Sequence, residues 1–423
     1  MKTTIAFGRE GLTLELPAGP DYKVLHARSA PAITDTKAAL SKALDEPINS
    51  TSLEVMARGK RSAAISVCDI TRPAPNRVTL PLVLERLHRA GLRSENISLC
   101  IATGLHRPAT KKELDVILGP EISAQYPIVN HDAKVEAEHV YLGETKRGTP
   151  VAIHRSFIEA DLHITLGFIE QHLMLGFSGG RKLIAPGLAA HGTIKVIHSP
   201  RFMRESLATE GSIEENPLHA ELLEIAQMAR HDFILDVTLT HEREISGVFA
   251  GDPVSAHAAG VAFLRDTGMS VLPKRVDAVI TSAAGYPLDL TFYQTIKGIT
   301  AVQHIVKPGG KILVMSECSE GIGSSEFAEK LREYDGPEIF LNAIRDTPVV
   351  VDQWQLEKMA LVERKHPLLV YAPGTRPEQL GSLRNSSYST SEEAIRSLIE
   401  GLPHGATVAV VPNGPYAFAK AAV

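Results

Sequence analysis

Histidine, arginine and aspartate side chains follow the ends of several apolar segments in this sequence of 423 residues. The β-branched and aliphatic composition of these segments predicts strands, namely 63–68 (AAISVC), 97–102 (ISLCIA) and 162–167 (LHITLG). Asp69 and Arg72 follow the first segment, His106 follows the second, and His172 follows the third. Since ligands of parallel α/β sheets bind beyond the carboxyl ends of the strands, these side chains are expected to meet at one edge.

The residue types at these positions suit acid/base chemistry on a small carboxylate. Imidazole titrates near neutral pH, so His106 and His172 together predict a proton-transfer pair. A guanidinium binds carboxylates through two parallel hydrogen bonds, which makes Arg72 a candidate substrate clamp. The simpler alternatives are two loop histidines bonded to the backbone, and a turn in which Asp69 caps the next helix.

The segment Gly176–Lys182 (GFSGGRK) is rich in glycine and ends in two cations. Such a backbone can point amides at a phosphate that Arg181 and Lys182 would neutralise. The spacing does not match a P-loop. A lysine beside glycines can also carry a covalent cofactor, although spacing alone does not show this. The alternative is a glycine turn with a solvated basic pair. His198 ends a predicted helix, where a capping role would by itself be commoner than metal binding.

Two α/β domains with largely parallel sheets are the architecture that this sequence predicts. A chain of this length is longer than a single hydrophobic core usually supports, which predicts two domains. Runs of β-branched residues alternate with helical stretches, which predicts the α/β class. The boundary is placed at Leu272-Pro273, which gives domains 1–272 and 273–423 with the active site expected in the cleft between them. The first 30 residues predict a hairpin at the edge of the first domain. Further predicted strands are 232–238, 276–281, 310–315 and 406–411, and predicted helices are 216–229, 253–267, 324–334 and 389–400.

Composition excludes several classes of protein. The net charge of −5 provides no basic field for nucleic acid or for an anionic membrane. No apolar run approaches the roughly 20 residues of a membrane span. The three cysteines, Cys68, Cys100 and Cys318, form no CxxC pair, so disulfides are not expected and a cytoplasmic location fits.

Read together and in order, six motifs resemble the nickel-pincer lactate racemase family over nearly the whole chain. The motifs are DITRP, TGLHRP, IEQHLMLGFSGGRKLIAPGLA, IHSP, YQTIKG and DQWQ, beginning at residues 69, 103, 169, 197, 293 and 352. The GFSGGRK block is the most specific of them. Agreement of one motif arises easily by chance, whereas agreement of six in order does not.

The resemblance implies a cofactor and a set of site residues. The cofactor is a pyridinium-3-thioamide-5-thiocarboxylic acid mononucleotide that pincers one nickel ion and is bound covalently to Lys182. His198 matches the protein ligand to nickel. His106 and His172 match the acid/base pair, and Arg72 and Lys297 match the cations that hold the substrate and cofactor. The remaining cofactor-binding positions are Asp69, Thr71, Gly179, Gly180, Tyr293, Gln294 and Trp354.

The same resemblance implies a racemase or epimerase of a small 2-hydroxy acid, working by reversible hydride transfer from C2. Its partners would be that substrate and the enzymes that build the cofactor, and a homo-oligomer is a further possibility. Leu173, Met174 and Leu175 replace residues that are often aromatic or small in relatives, which leaves a larger hydroxy acid or a sugar acid open. Two alternatives remain: a hydrolase or lyase that uses the histidines directly on a metal ion, and a non-catalytic nucleotide-binding protein.

Overall fold

A computed structural model of the chain describes residues 1–422 as an α/β protein with largely parallel sheets. The strands are β1 (Lys2–Ile5), β2 (Leu12–Glu15), β3 (Asp21–Val24), β4 (Ala63–Cys68), β5 (Ile97–Ala102), β6 (Ile128–Asn130), β7 (His139–Glu144), β8 (Pro150–His154), β9 (His163–Phe168), β10 (Gln171–His172), β11 (Gly176–Phe177), β12 (Phe233–Leu239), β13 (Ile245–Gly251), β14 (Met269–Leu272), β15 (Val276–Ser282), β16 (Val306–Met315), β17 (Leu368–Tyr371), β18 (Thr407–Val411) and β19 (Phe418–Ala421). The α-helices are α1 (Thr36–Asp45), α2 (Leu53–Ala57), α3 (Asn76–Arg89), α4 (Lys111–Leu118), α5 (Pro120–Gln125), α6 (Arg155–Ile158), α7 (His191–Ile197), α8 (Pro200–Met203), α9 (Pro217–Met228), α10 (Pro253–Gly268), α11 (Phe292–Val302), α12 (Ser325–Arg332), α13 (Pro337–Ala343), α14 (Gln353–Glu363) and α15 (Ser391–Ile399).

The chain forms two compact units, and each of them is built from separate stretches of sequence. The central unit comprises Ser29–Ile197 and Ser212–Thr267. The flanking unit comprises Met1–Arg28, His198–Gly211 and residues 268–422. A single cut at residue 272 therefore lies near one junction of the two units but does not describe the other three junctions.

The central unit is organised around a six-stranded sheet with the order β13-β12-β9-β4-β5-β6. Strands β4, β5, β6, β9 and β12 run parallel, and β13 pairs antiparallel with β12. Helix α3 packs an apolar face on this sheet, since Leu80, Val83 and Leu87 are fully buried. Burial of such side chains contributes about 1.5–3 kcal/mol each. Because β9, β4 and β5 are adjacent and parallel, the segments that follow them start from the same edge.

The flanking unit is organised around a five-stranded parallel sheet with the order β17-β16-β15-β18-β3. The first 30 residues do contain a hairpin, β1–β2. The expectation that this segment lies at the edge of the first domain was wrong for β3, which pairs in parallel with β18. Pairing with β18 satisfies the backbone groups of β3 in a sheet that the C-terminal residues build.

The predicted elements agree with the structure to within a few residues. All seven predicted strands are present, and each helix predicted after residue 215 is found at its expected place. The α/β class with largely parallel sheets is therefore confirmed. Within the described chain, no helix is both long enough and apolar enough to cross a lipid bilayer.

Helix α11 approaches strand β15 closely at Gly298, where a Cβ atom would lie 2.3 Å from the carbonyl oxygen of Ser282. Gly298→Ala is expected to lower the free energy of unfolding by about 1–3 kcal/mol, because the added methyl group would clash with backbone atoms of Ser282 that can move only if the strand shifts. Chemical denaturation would measure this change. Gly192→Ala is the control, since nothing lies within 4 Å of a Cβ there. Equal stability of the two variants would contradict the close packing of α11 on β15.

Candidate active site

Asp69 and His106 form a hydrogen-bonded pair at the carboxyl edge of the central sheet. Asp69 Oδ2 lies 2.7 Å from His106 Nδ1. Burial alone would raise the pKa of Asp69, but the hydrogen bond and charge of His106 outweigh it and hold that pKa below its usual value. The ionised carboxylate can only accept, so His106 donates from Nδ1 and keeps Nε2 for proton exchange. The His106 side chain is 48% exposed, so a small molecule can reach it.

The rest of the turn after β4 supports this pair. Thr71 Oγ1 donates to Asp69 Oδ1 at 2.7 Å, and Arg72 Nη1 lies 3.2 Å from both oxygens of Thr71. Helix α3 has Pro75 at its N-cap and no side-chain capping bond. The alternative in which Asp69 only caps this helix is therefore wrong. Its carboxylate is used to orient His106.

Replacement of Asp69 by asparagine tests this orienting role. Asp69→Asn removes the negative acceptor, and it is expected to lower kcat by about 10- to 1,000-fold while leaving the protein folded, by analogy with other acid/base groups. Catalytic turnover and thermal unfolding would be measured together. Asp232→Asn is the matched control, because Asp232 also lies 2.7 Å from a histidine Nδ1, that of His163 at the amino end of β9. A similar loss of kcat in both variants would contradict the specific role of Asp69.

His172 lies on a short hairpin that follows β9. Strand β10 pairs antiparallel with β11, and His172 is opposite Gly176. The His172 Nδ1 accepts hydrogen bonds from the backbone N–H groups of Met174 and Leu175, each at 3.4 Å. In the neutral ring the proton is then on Nε2, so His172 in this arrangement can donate a proton from Nε2, while its accepting nitrogen is bonded to the backbone. The alternative of backbone bonding is therefore present at His172, and removal of a proton by Nε2 requires the other tautomer.

Lys182 lies in a tight turn directly after this hairpin. Gly179 and Gly180 have φ values of +90° and +44°, which favour glycine, and a 3₁₀ helix covers Gly180–Leu183. The side chain of Lys182 is partly buried. Loss of water around the ammonium, followed by the positive charge of Arg72, lowers the pKa of Lys182 to about 7. Much of this amine is therefore neutral and nucleophilic near neutral pH.

Two features of this turn were missed or misjudged from the sequence. Arg181 is only 2% exposed, so the alternative of a solvated basic pair is wrong. The Gly180 N–H donates to Asp236 Oδ2 at 2.8 Å, so this amide is already used and does not serve a phosphate. Asp236 is fully buried in β12, and burial raises its pKa to about 7. The signal in the sequence was an aspartate inside the apolar run FILDVTL.

The remaining predicted site residues lie in the flanking unit. The rings of His198 and Trp354 have centroids 4.6 Å apart, and Trp354 is 7% exposed on α14. Tyr293, Gln294 and Lys297 lie on the first turns of α11. The Tyr293 carbonyl accepts a hydrogen bond from Gln355 Nε2 at 3.1 Å, which links α11 to α14. The four predicted residues Tyr293, Gln294, Lys297 and Trp354 therefore lie on two neighbouring helices, α11 and α14, and His198 lies against Trp354 from the segment after α7.

Comparison with known proteins gives a consistent result over the full chain. The family model of the lactate racemase N-terminal domain matches residues 7–211, and that of the lactate racemase C-terminal domain matches residues 271–417. A lactate racemase of Lactiplantibacillus plantarum is 34% identical over 378 residues, 89% of each chain. A lactate racemase of Thermoanaerobacterium thermosaccharolyticum is 32% identical over 416 residues, 97% of each chain.

A solved structure agrees with these matches. The lactate racemase apoprotein from Thermoanaerobacterium thermosaccharolyticum superposes with a TM-score of 0.90 at 30% identity, covering 99% of this chain and 100% of that one. The orienting pair Asp69–His106 and the Lys182 turn lie within the residues that the N-terminal family model matches. The chain belongs to the lactate racemase family, and it is an isomerase of the racemase type.

Proposed function

We propose that this isomerase interconverts the enantiomers of lactate or a similar small 2-hydroxy acid, using a nickel-pincer nucleotide attached to Lys182. The observation that carries the proposal is the Lys182 amine itself. It lies on a glycine turn, is partly buried, and has its pKa lowered to about 7. A lysine with a lowered pKa has a larger fraction of neutral, nucleophilic amine than a solvated lysine, and it is therefore better suited to covalent attachment.

Other residues also fit such a cofactor. His198 offers an imidazole held against the Trp354 ring, and imidazole is a good ligand for nickel. The buried Gln294 Oε1 has no hydrogen-bond partner, which suits a donor on a bound molecule. Within residues 1–422, no three His, Cys, Asp or Glu side chains are placed to hold a metal ion directly. A pincer cofactor would bring most of the metal ligands itself, and His198 would add one from the protein.

The chain's own groups would then bind the substrate and move its proton. Arg72 and Lys297 are proposed to hold the carboxylate, because a guanidinium and an ammonium group both attract a carboxylate and donate hydrogen bonds to it. His106 Nε2 takes the hydroxyl proton of one enantiomer, and His172 Nε2 serves the other enantiomer after the ring proton has moved to Nδ1. When bound, the cofactor supplies a reversible hydride acceptor, which avoids ionising a very weakly acidic C2–H bond. The resulting planar 2-keto acid explains why two bases serve a single reaction.

An intact-mass measurement tests the proposal. The chain would be co-expressed with the enzymes that build the cofactor and supplied with nickel. We expect a mononucleotide-sized adduct, mapped by digestion to the peptide that carries Lys182, and racemisation of lactate. Chain made without those enzymes is the control and should be folded and inactive. Absence of the adduct under conditions that load a known relative would overturn the proposal and favour direct use of a metal by the histidines.

A further inference from the structure

The side chain of Arg181 points into the central unit and binds the backbone of the preceding segment. Its Nη2 donates to the carbonyl oxygens of Leu175 and Phe177, at 3.3 and 3.0 Å. Its Nη1 donates to the carbonyl oxygen of Gly179 at 3.3 Å. One planar guanidinium therefore holds three alternate carbonyl groups within five residues. A lysine ammonium lacks this fixed fork of donors.

The three carbonyls belong to the two segments that carry the candidate catalytic groups. Leu175 and Phe177 are in the hairpin β10–β11 with His172, and Gly179 opens the turn with Lys182. We propose that Arg181 is a positioning residue that fixes the acid/base hairpin and the cofactor-attachment turn relative to each other. The inference rests on the proposed function, since that function assigns the roles of His172 and Lys182.

The two imidazoles beside Arg181 are uncharged, so they add no positive charge that would repel its guanidinium. His257 Nε2 lies 2.9 Å from Arg181 Nη1 and 2.8 Å from the Ser178 carbonyl oxygen. Burial and the charge of Arg181 hold the pKa of His257 well below its ordinary value. The ring of His219 stacks on His257 with centroids 6.2 Å apart, and burial lowers the pKa of His219 to about 3. Both imidazoles are therefore uncharged at neutral pH.

The charge of Arg181 is not cancelled by a close carboxylate. Among residues 1–422, no Asp or Glu oxygen lies within 4.0 Å of its guanidinium nitrogens. The buried carboxyl nearby, Asp236, has its pKa raised to about 7. Burial lowers the pKa of Arg181 to about 9, which still leaves it protonated at neutral pH. This uncompensated cation adds to burial and to Arg72 in keeping Lys182 neutral.

A buried arginine can also contribute to stability alone. Two substitutions of Arg181 distinguish that role from the positioning of His172 and Lys182. Arg181→Lys keeps the charge but loses the fork, whereas Arg181→Gln loses the charge. Arg86→Lys is the matched control: Arg86 is 3% exposed in the same unit, and it binds Asp45 through two hydrogen bonds. The readouts on cofactor-free protein are the pH profile of Lys182 acylation by an N-hydroxysuccinimide ester, and the rate of His172 modification by diethyl pyrocarbonate. Peptide mapping assigns both modifications.

We expect Arg181→Gln to move the Lys182 acylation midpoint upward by less than one pH unit, because the charge of Arg72 has a larger effect than that of Arg181, so that acylation at pH 7 slows roughly twofold. In Arg181→Lys the midpoint stays near that of the native protein. His172 modification changes in both variants, and in loaded enzyme Arg181→Lys lowers kcat about 10- to 100-fold with little change in KM. Arg86→Lys changes neither reactivity. Native-like Lys182 and His172 reactivities in both Arg181 variants, with only reduced stability, would overturn the inference.

Hydrogen exchange on the native protein gives a second measurement that needs no variant. If Arg181 holds the two segments together, we expect them to unfold locally as one unit. The amides in peptides covering 171–178 and 179–185 would then exchange with one common rate. Clearly separate rates would overturn the inference even if both Arg181 variants fail to fold. The acylation, histidine-modification and hydrogen-exchange readouts use cofactor-free protein, so failure of cofactor loading would refute the proposed function without affecting them.

Discussion

Lys182→Ala is expected to abolish the covalent adduct and to lower racemase activity by at least about 10⁴-fold, because the group that performs the difficult chemistry can no longer be attached. The protein should remain folded, since alanine fits a partly buried position in a 3₁₀ turn. Intact mass, nickel content and the interconversion of lactate enantiomers would be measured on the same preparation. The lowered pKa of Lys182 adds a pH dependence: the rate of loading should rise with pH through about 7 and then level off, as the amine loses its proton.

Lys195→Ala is the control for this substitution. Lys195 lies on α7 of the same unit and is partly exposed, so its removal should change neither the adduct nor the activity. An active Lys182→Ala variant, or an adduct that maps elsewhere in the chain, would show that the Lys182 turn has another role.

His106→Gln and His172→Gln should each lower kcat for racemisation by about 10²- to 10⁴-fold, because interconversion needs a proton acceptor on both faces of the substrate. The two variants should also differ from each other. Each should still form 2-keto acid from one enantiomer, and the enantiomer should be different in the two cases. Rapid quenching of loaded enzyme after mixing with either enantiomer would measure this.

His88→Gln provides the comparison for the histidine variants. His88 is exposed near the end of α3, and its Nε2 lies 2.6 Å from the Tyr126 hydroxyl. Its replacement should leave kcat unchanged. If both catalytic variants formed keto acid from the same enantiomer, the assignment of one histidine to each face would fail.

Much of the fold and part of the site followed from local patterns. Runs such as 63–68 and 97–102 are both apolar and β-branched, and the helix stripe of Leu80, Val83 and Leu87 has a clear period. The rule that ligands gather at carboxyl strand ends placed Asp69 and His106 at one edge, and the structure joins them by a hydrogen bond. The roles of Lys182 and His198 came from resemblance, because no spacing rule assigns a covalent cofactor.

The features that sequence reasoning missed depend on contacts between distant residues. The pairing of β3 with β18 cannot be predicted from either segment alone, because each has the sequence pattern of an ordinary short strand. Arg181 and Lys182 are adjacent and similar in type, yet one is 2% exposed and binds carbonyls while the other is partly exposed. Only the positions of Asp236 and His257 in space distinguish them.

The way the flanking unit is assembled has a consequence for the order of events during synthesis. All residues of the central unit precede Gly268, so its sheet can form while the ribosome is still adding the C-terminal part. Strand β3 emerges early, but its partner β18 begins only at Thr407. Strand β3 therefore lacks its partner strand until synthesis of the chain is nearly complete. Truncation before β18 should leave the edge of β3 exposed and the nascent protein prone to aggregation.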